Sequence, residues 1–193
     1  MTTTAIILAA GKGTRLRPLT YFVAKPLIKF MGQSLIEHVM NMLKMNDIYL
    51  YFVNIHNKPM QMIKNIDDRA VYFYEKELLG SAGTVKALTQ YMTEDFVVCN
   101  ADTISNVDID SMIGMHKFKK NMATVIWDRE KRKGAGVTVL NKRIFPYLVN
   151  KRELQDVLDE VGFSKFEQDD LWWFDLGTFH GIFDAYKFFK NVQ

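Results

Sequence analysis

Five short apolar runs, Thr4 to Leu8, Ile48 to Asn54, Ala70 to Tyr74, Phe96 to Cys99 and Ala123 to Trp127, alternate with stretches of helical periodicity, and this alternation is what most constrains the fold. Between the first two runs, Ser34 to Met45 places Leu35, Ile36, Val39, Met40 and Leu43 on one helical face, with Ser34 as N-cap. Ser81 to Tyr91 and Asp108 to Phe118 repeat the pattern. Strand-helix-strand alternation predicts an α/β architecture, a mainly parallel sheet with helices on both faces. After Trp127 the spacing turns mixed: Gly134-Ala135-Gly136 leads into a strand at Val137 to Leu140, a helical stretch starts at Arg143, and a last helix runs from about Phe179 to Asn191. No internal repeat or linker-like segment interrupts the chain, so residues 1–193 read as one domain.

The first run ends in Leu8-Ala9-Ala10-Gly11-Lys12-Gly13-Thr14-Arg15-Leu16-Arg17. A strand that stops at small residues and then at basic ones suits a phosphate loop. Gly11 and Gly13 leave room for a ligand and permit positive φ, so that successive N–H groups converge on an anion beside Lys12, Arg15 and Arg17. The segment is neither the dinucleotide fingerprint, because Leu16 stands at its third glycine, nor a Walker A loop, because no Gly-Lys-Ser/Thr closes it. In an open parallel sheet, ligands bind beyond the carboxyl ends of the strands, where the loops after Leu8, Tyr74 and Cys99 are expected to meet.

Composition narrows the functional classes. The 193 residues are 48% hydrophobic and 24% charged, ordinary for a globular domain, and a net charge of +3 with dispersed basic residues argues against nucleic acid. The two basic runs, Lys117 to Lys120 and Arg129 to Lys133, read as solvated surface, and Met40, Met42 and Met45 as core filler. No apolar run reaches the roughly 20 residues that span a bilayer, and the N-terminus lacks a signal-peptide pattern, so a cytoplasmic protein without membrane contact is expected. The single Cys99 excludes an internal disulfide and is expected to be a buried strand residue.

Several segments together resemble the sugar-1-phosphate nucleotidyltransferases, or nucleotide-sugar pyrophosphorylases. Leu8 to Thr20 followed by Lys25-Pro26-Leu27 is similar to the family signature, and Gly32 to His38 to the start of its first long helix. Leu79-Gly80-Ser81-Ala82-Gly83-Thr84 resembles the family's Leu-Gly-Thr-Ala-Gly loop. Asn100-Ala101-Asp102 stands for Asn-Gly-Asp, and Trp173 to Thr178 resembles the late Trp-x-Asp-Ile-Gly-Thr segment. The resemblance implies a Rossmann-like three-layer sandwich with a mixed, mainly parallel sheet, the nucleotide-diphospho-sugar transferase fold.

It also implies partners and chemistry: a nucleoside triphosphate and a sugar 1-phosphate react, with Mg²⁺, to give a nucleotide-sugar and pyrophosphate. Arg15 is assigned to the triphosphate, Lys25 to phosphate near the reacting centre, and Asp102 to catalysis. Leu8, Ala9, Ala10, Gly11, Lys12, Gly13, Thr14 and Arg15 would line the nucleotide, as would Glu77, Gly80, Ser81, Ala82, Gly83 and Asn100. Asp102 and Asp175, each a carboxylate at the exit of an apolar run, are the candidate Mg²⁺ ligands. Ala9-Ala10-Gly11 leans toward UTP, with GTP close behind, and His56 reads as a turn residue. A homodimer through the aromatic C-terminal helix is admitted, although packing of Phe179, Phe183, Tyr186, Phe188 and Phe189 onto the same domain is the preferred reading.

Two departures matter. Ala101 replaces the motif glycine, and the family's Phe-x-Glu-Lys-Pro sugar-phosphate segment is missing unless Glu130-Lys131 is its remnant. Two rival functions follow: a catalytically silent subunit that binds nucleotide-sugars, and a cytidylyltransferase acting on a small non-sugar phosphate.

Overall fold

The computed structural model describes residues 3–66 and 70–192. β1 (Thr4–Leu8) lies near the middle of a seven-stranded sheet. The chain then passes through three short 3₁₀ turns and a small ribbon, β2 (Lys29–Phe30) with β3 (Gln33–Ser34), into helix α1 (Leu35–Met45). β4 (Leu50–Ile55), α2 (Pro59–Asn65), β5 (Val71–Tyr74) and α3 (Gly80–Leu88) follow. Next come β6 (Asp95–Asn100), β7 (Thr103–Ser105), α4 (Ile109–Phe118), β8 (Ala123–Asp128) and β9 (Lys133–Asn141). A 3₁₀ segment, α5 (Leu154–Val161), β10 (Ser164–Phe166), β11 (Trp173–Asp175) and α6 (Phe179–Val192) complete the chain.

The sheet order is β10-β8-β9-β6-β1-β4-β5. β1 pairs in parallel with both β4 and β6, and only β9 runs antiparallel to its neighbours. The chain leaves β1 to build one side of the sheet and returns to build the other, which makes the β1 end a topological switch point. Leu8 is in register with Asn54 of β4 and Asn100 of β6, so three strand ends form one edge.

Strand alternation divides the core into two layers. Ala5 and Ile7 of β1, with Val97 and Cys99 of β6, pack against Val39, Leu43, Met62 and Met112 of α1, α2 and α4. Ile6, Phe96 and Val98 face the other way, onto Val85 of α3 and Val157 and Leu158 of α5. Helices on both faces of a mostly parallel sheet match the expected three layers. α1 starts where Ser34 predicts it, in a reciprocal capping box: Ser34 Oγ accepts from Glu37 N–H and Glu37 Oε2 accepts from Ser34 N–H. Hydrogen bonds donated to Glu37 Oε2 by the Ser34 hydroxyl and then by the Ser34 N–H hold the Glu37 carboxyl below its ordinary range.

Some expectations need correction. Met40 and Met42 fill the core, but Met45 is 86% exposed at the end of α1. The helical stretch after Arg143 is a 3₁₀ segment, Lys142–Leu148, interrupted by Pro146. Phe188 and Phe189 pack on Trp172 and Phe174, while Phe179, Phe183 and Tyr186 face outward. Cys99 is buried as expected, and desolvation pushes its thiol up to about 12. No helix of the described residues is long and apolar enough to cross a membrane.

Candidate active site

A cavity of about 510 Å³ opens at the shared edge of β1, β4 and β6, lined by Leu8, Ala9, Ala10, Gly11, Arg15, Lys25, Asn54, Glu75, Gly80, Ser81, Asn100 and Asp102 among others. Its floor is a polar network. Asn54 Oδ1 accepts from the N–H of Ala9 at 2.5 Å and of Ala10 at 3.2 Å. Asn54 Nδ2 donates to Glu75 Oε1 at 2.8 Å and to Thr84 Oγ1 at 3.0 Å, and Thr84 Oγ1 donates to Glu75 Oε1. Glu75 Oε2 accepts from Leu79 N–H, so a carboxylate that is 2% exposed is satisfied on both oxygens. His56 Nδ1 lies 2.9 Å from the Glu75 carbonyl, a contact between the residues that follow β4 and β5.

The phosphate loop behaves differently from its neighbours on the floor. The N–H groups of Ala9 and Ala10 are consumed by Asn54, so they do not reach a ligand. Those of Gly11, Lys12 and Gly13 donate to no protein group among the described residues. Gly13 takes φ +65°, and a Cβ there would sit 2.9 Å from Lys25 Cβ and Thr20 Cγ2. Gly11 has no positive φ; its contribution is open space, with nothing within 4 Å of where a Cβ would be.

The end of the cavity that carries Lys25 and Asp102 is built by long-range pairing. β7 follows Asp102 directly and pairs antiparallel with β11, with Thr103 opposite Asp175. Leu176 N–H donates to the Asp102 carbonyl at 2.8 Å, and Gly177 N–H to Asp175 Oδ1 at 2.8 Å. Two carboxylates 73 positions apart in sequence thereby face one spot. A Cβ on Gly177 would lie 2.6 Å from Lys25 Nζ, 2.7 Å from Asp102 Oδ2 and 2.7 Å from Asp175 Oδ1. Lys25 and Asp102 form a tight ion pair, each side chain less than a fifth exposed, and Arg15 Nη1 lies 3.6 Å from Asp175 Oδ2.

That arrangement fits a Mg²⁺ ion. Two carboxylate oxygens approach the same point, and no cluster of three or more metal-ligating side chains exists among the described residues. A two-carboxylate set is what Mg²⁺ takes when it keeps several waters and shares substrate phosphate.

Of the other sequence candidates, Gly80, Ser81 and Asn100 line the cavity. Ala82, Gly83 and Thr14 do not, and Glu77 is exposed away from it. Lys12 faces a separate small pocket. Ala101 is buried in the first core layer, which accommodates the methyl that replaces the motif glycine. Glu130 and Lys131 sit on the β8-β9 turn, away from the cavity, and Lys131 Nζ lies 4.5 Å from the Trp173 ring centre.

Sequence reasoning missed Asn54, Glu75, Arg152 and Glu153, all of which line the cavity. The last two arrive on the segment before α5, where Ser81 Oγ donates to Glu153 Oε2 at 2.8 Å and Arg152 O accepts from Ala82 N–H. The signal for Asn54 was its position at the end of an apolar strand beside the loop; the others depend on contacts distant in sequence.

A family model described as nucleotidyl transferase matches residues 4–144. The chain is 33% identical over 132 residues, 63% of its length and 37% of the relative's, to a mannose-1-phosphate guanylyltransferase catalytic subunit beta of Xenopus tropicalis. It is 28% identical over 140 residues, 63% of its length and 36% of the relative's, to a UTP–glucose-1-phosphate uridylyltransferase of Synechocystis sp.. The chain thus spans about a third of the length of these curated relatives. The structure of HddC from Yersinia pseudotuberculosis complexed with GMP-PN superposes with a TM-score of 0.79 at 21% identity, covering 97% of this chain and 100% of that one, a likeness of fold.

Proposed function

The chain belongs to the nucleotidyl transferase family, and from that premise we propose that it transfers a nucleotidyl group from a nucleoside triphosphate to a sugar 1-phosphate. The observation that carries this reading is the convergence of Lys25, Asp102 and Asp175 on the one spot left open by Gly177, with Arg15 beside them. Asp175 lies outside the matched residues, so its meeting with Asp102 is support independent of the family match.

In this reading the nucleoside triphosphate lies along the β1 edge. The N–H groups of Gly11, Lys12 and Gly13 and the Arg15 guanidinium hold its β- and γ-phosphates. A phosphate oxygen of the sugar 1-phosphate attacks the α-phosphorus in line; the bond from that phosphorus to the bridging oxygen breaks, and pyrophosphate leaves with the electron pair. The attacking oxygen is already anionic at neutral pH, so no general base is required. Lys25 steadies charge on the α-phosphate, and Arg15 the charge that builds on pyrophosphate. Asp102 and Asp175 would hold Mg²⁺, which when bound polarises the phosphoryl oxygens and lowers repulsion between the two anions.

Arg152 and Glu153 are the charged pair we assign to the sugar phosphate and its hydroxyls, in place of the missing Glu-Lys segment. Uridine is our first choice of base, from Ala9-Ala10-Gly11, with guanosine next; the relatives named above include one enzyme of each kind. Residues 1–193 would act as one domain in the cytoplasm, a setting that suits the lone buried Cys99.

The test is pyrophosphate release across UTP, dTTP, GTP, CTP and ATP against hexose, amino-sugar and heptose 1-phosphates, with phosphocholine as a non-sugar acceptor. Release from one nucleotide and one sugar, lost in Asp102→Ala, is the expected result. No release, with nucleotide-sugar still bound, would replace the transferase by a silent binding subunit; release with phosphocholine alone would move it to the cytidylyltransferase reading.

A further inference from the structure

On the far side of the phosphate loop lies a second, smaller pocket of about 200 Å³, lined by Lys12, Arg17, Thr20, Tyr21, His56, Asn57 and Lys58. The sequence analysis assigned Lys12 to the nucleotide and read His56 as a turn residue, and the transferase chemistry uses neither side chain. Three lysine or arginine side chains line this pocket, and no carboxylate does. None of the three forms a salt bridge among the described residues, in contrast to Lys25 and Arg15 in the main cavity.

Tyr21 gathers two of these cations. The Arg17 guanidinium lies over its ring, 5.1 Å from the centre, and Lys58 Nζ donates to its carbonyl oxygen at 3.0 Å. Lys58 holds φ +52°, an uncommon backbone conformation for a non-glycine residue, and is half-buried. His56, also on the wall, has its Nδ1 engaged by the Glu75 carbonyl. Thr20 and Asn57 add polar groups at the wall. Like charges gathered in a concave site without counter-charges repel one another, and a multiply charged anion relieves that repulsion.

We propose that this pocket is a second anion site, which takes a phosphate or pyrophosphate group and is separate from the site of the reacting phosphates. The pocket has room for such a group, and the larger 510 Å³ cavity remains for the nucleotide. Lys12 ties the pocket to the phosphate loop, so an anion held there also restrains the segment that carries Gly11 and Arg15. The binding claim does not depend on the transferase reading.

Titration calorimetry with sodium pyrophosphate tests it in an Arg15→Ala/Lys25→Ala/Arg152→Ala background, where the main cavity has lost its cationic side chains. Pyrophosphate is expected to bind there still, more weakly as ionic strength rises, and Arg17→Gln with Lys58→Gln is expected to weaken it by about 10-fold or more. Arg17→Lys, which keeps the charge, should retain most of the binding and guards against a folding defect, with thermal melts as the check. Competition by a nucleoside triphosphate but not by a monophosphate would make the pocket part of the nucleotide's own phosphate site and overturn its separateness. Absence of competition by either would make it a free anion. No heat in the Arg15→Ala/Lys25→Ala/Arg152→Ala background, or binding indifferent to Arg17→Gln and Lys58→Gln, would overturn the proposal.

Discussion

The cavity holds two kinds of carboxylate. Glu75, on the floor, is buried and accepts from Asn54, Thr84 and the Leu79 amide, so all of its bonding stays within the protein. Asp102 and Asp175, at the opposite end, are more open and pair with the cations Lys25 and Arg15, whose contacts a ligand could take over. A saturated network gives shape, whereas an ion pair at the cavity wall offers charge that can be redirected. The comparison predicts that damage to the floor registers as lost stability and damage to the wall as lost activity.

The largest effect expected is on the floor. Asn54→Ala strands the Ala9 and Ala10 amides and removes one of the two hydrogen bonds to Glu75 Oε1, and should destabilise the protein by about 3 kcal/mol in denaturant unfolding. A change under about 0.5 kcal/mol would break the distinction between floor and wall.

Gly177→Ala sharpens the contrast. Its new methyl would meet the ends of three flexible side chains rather than backbone, so the fold should survive while Lys25, Asp102 and Asp175 are pushed apart. Pyrophosphate release should fall on the order of 100-fold, about 2.7 kcal/mol of transition-state stabilisation, with the melting temperature nearly unchanged. Equal losses of activity and stability would place Gly177 with the floor.

The smallest effect lies far from the cavity and serves as the control. His116 is buried, with Nδ1 2.8 Å from Thr124 Oγ1 and Nε2 3.3 Å from Asp95 Oδ1 without hydrogen-bond geometry. Burial lowers its pKa against the pull of Asp95, and Arg143 and Lys117 lower it further. The unfolded chain therefore takes up the proton first: the stability contribution is complete above the ordinary histidine value near 6.5 and declines as pH falls toward the lowered one. Unfolding free energy should decline as pH falls below about 6.5, by at most about 1.4 kcal/mol per pH unit from this one group, and His116→Gln should flatten that slope.

Much of the fold was legible because buried strands write themselves as apolar runs and amphipathic helices as spaced apolar residues. Thr4–Leu8 and the Ser34 capping box needed nothing beyond their own neighbours in sequence. Residues that form the site by distant pairing were harder. Asp175 could be singled out only by resemblance, since its position beside Asp102 comes from the β7-β11 ribbon. Asn54 and Glu75 were not singled out, because a polar residue at a strand end looks alike whether it meets solvent or satisfies buried amides. Helix α5 escaped notice because its apolar face, Leu154, Val157 and Leu158, is only two turns long. Arg152 and Glu153, which precede it, were lost with it.

The central claim is that Asp102 and Asp175 act together at the reacting end of the cavity. The most direct test is the rate of Mg²⁺-dependent pyrophosphate release by Asp102→Asn, by Asp175→Asn and by the double variant, each side chain keeping its shape and losing its charge. Each single change should lower the rate on the order of 10²–10³-fold, and the double variant little further, as expected of groups that serve one cation. A wild-type rate in either single variant would contradict it.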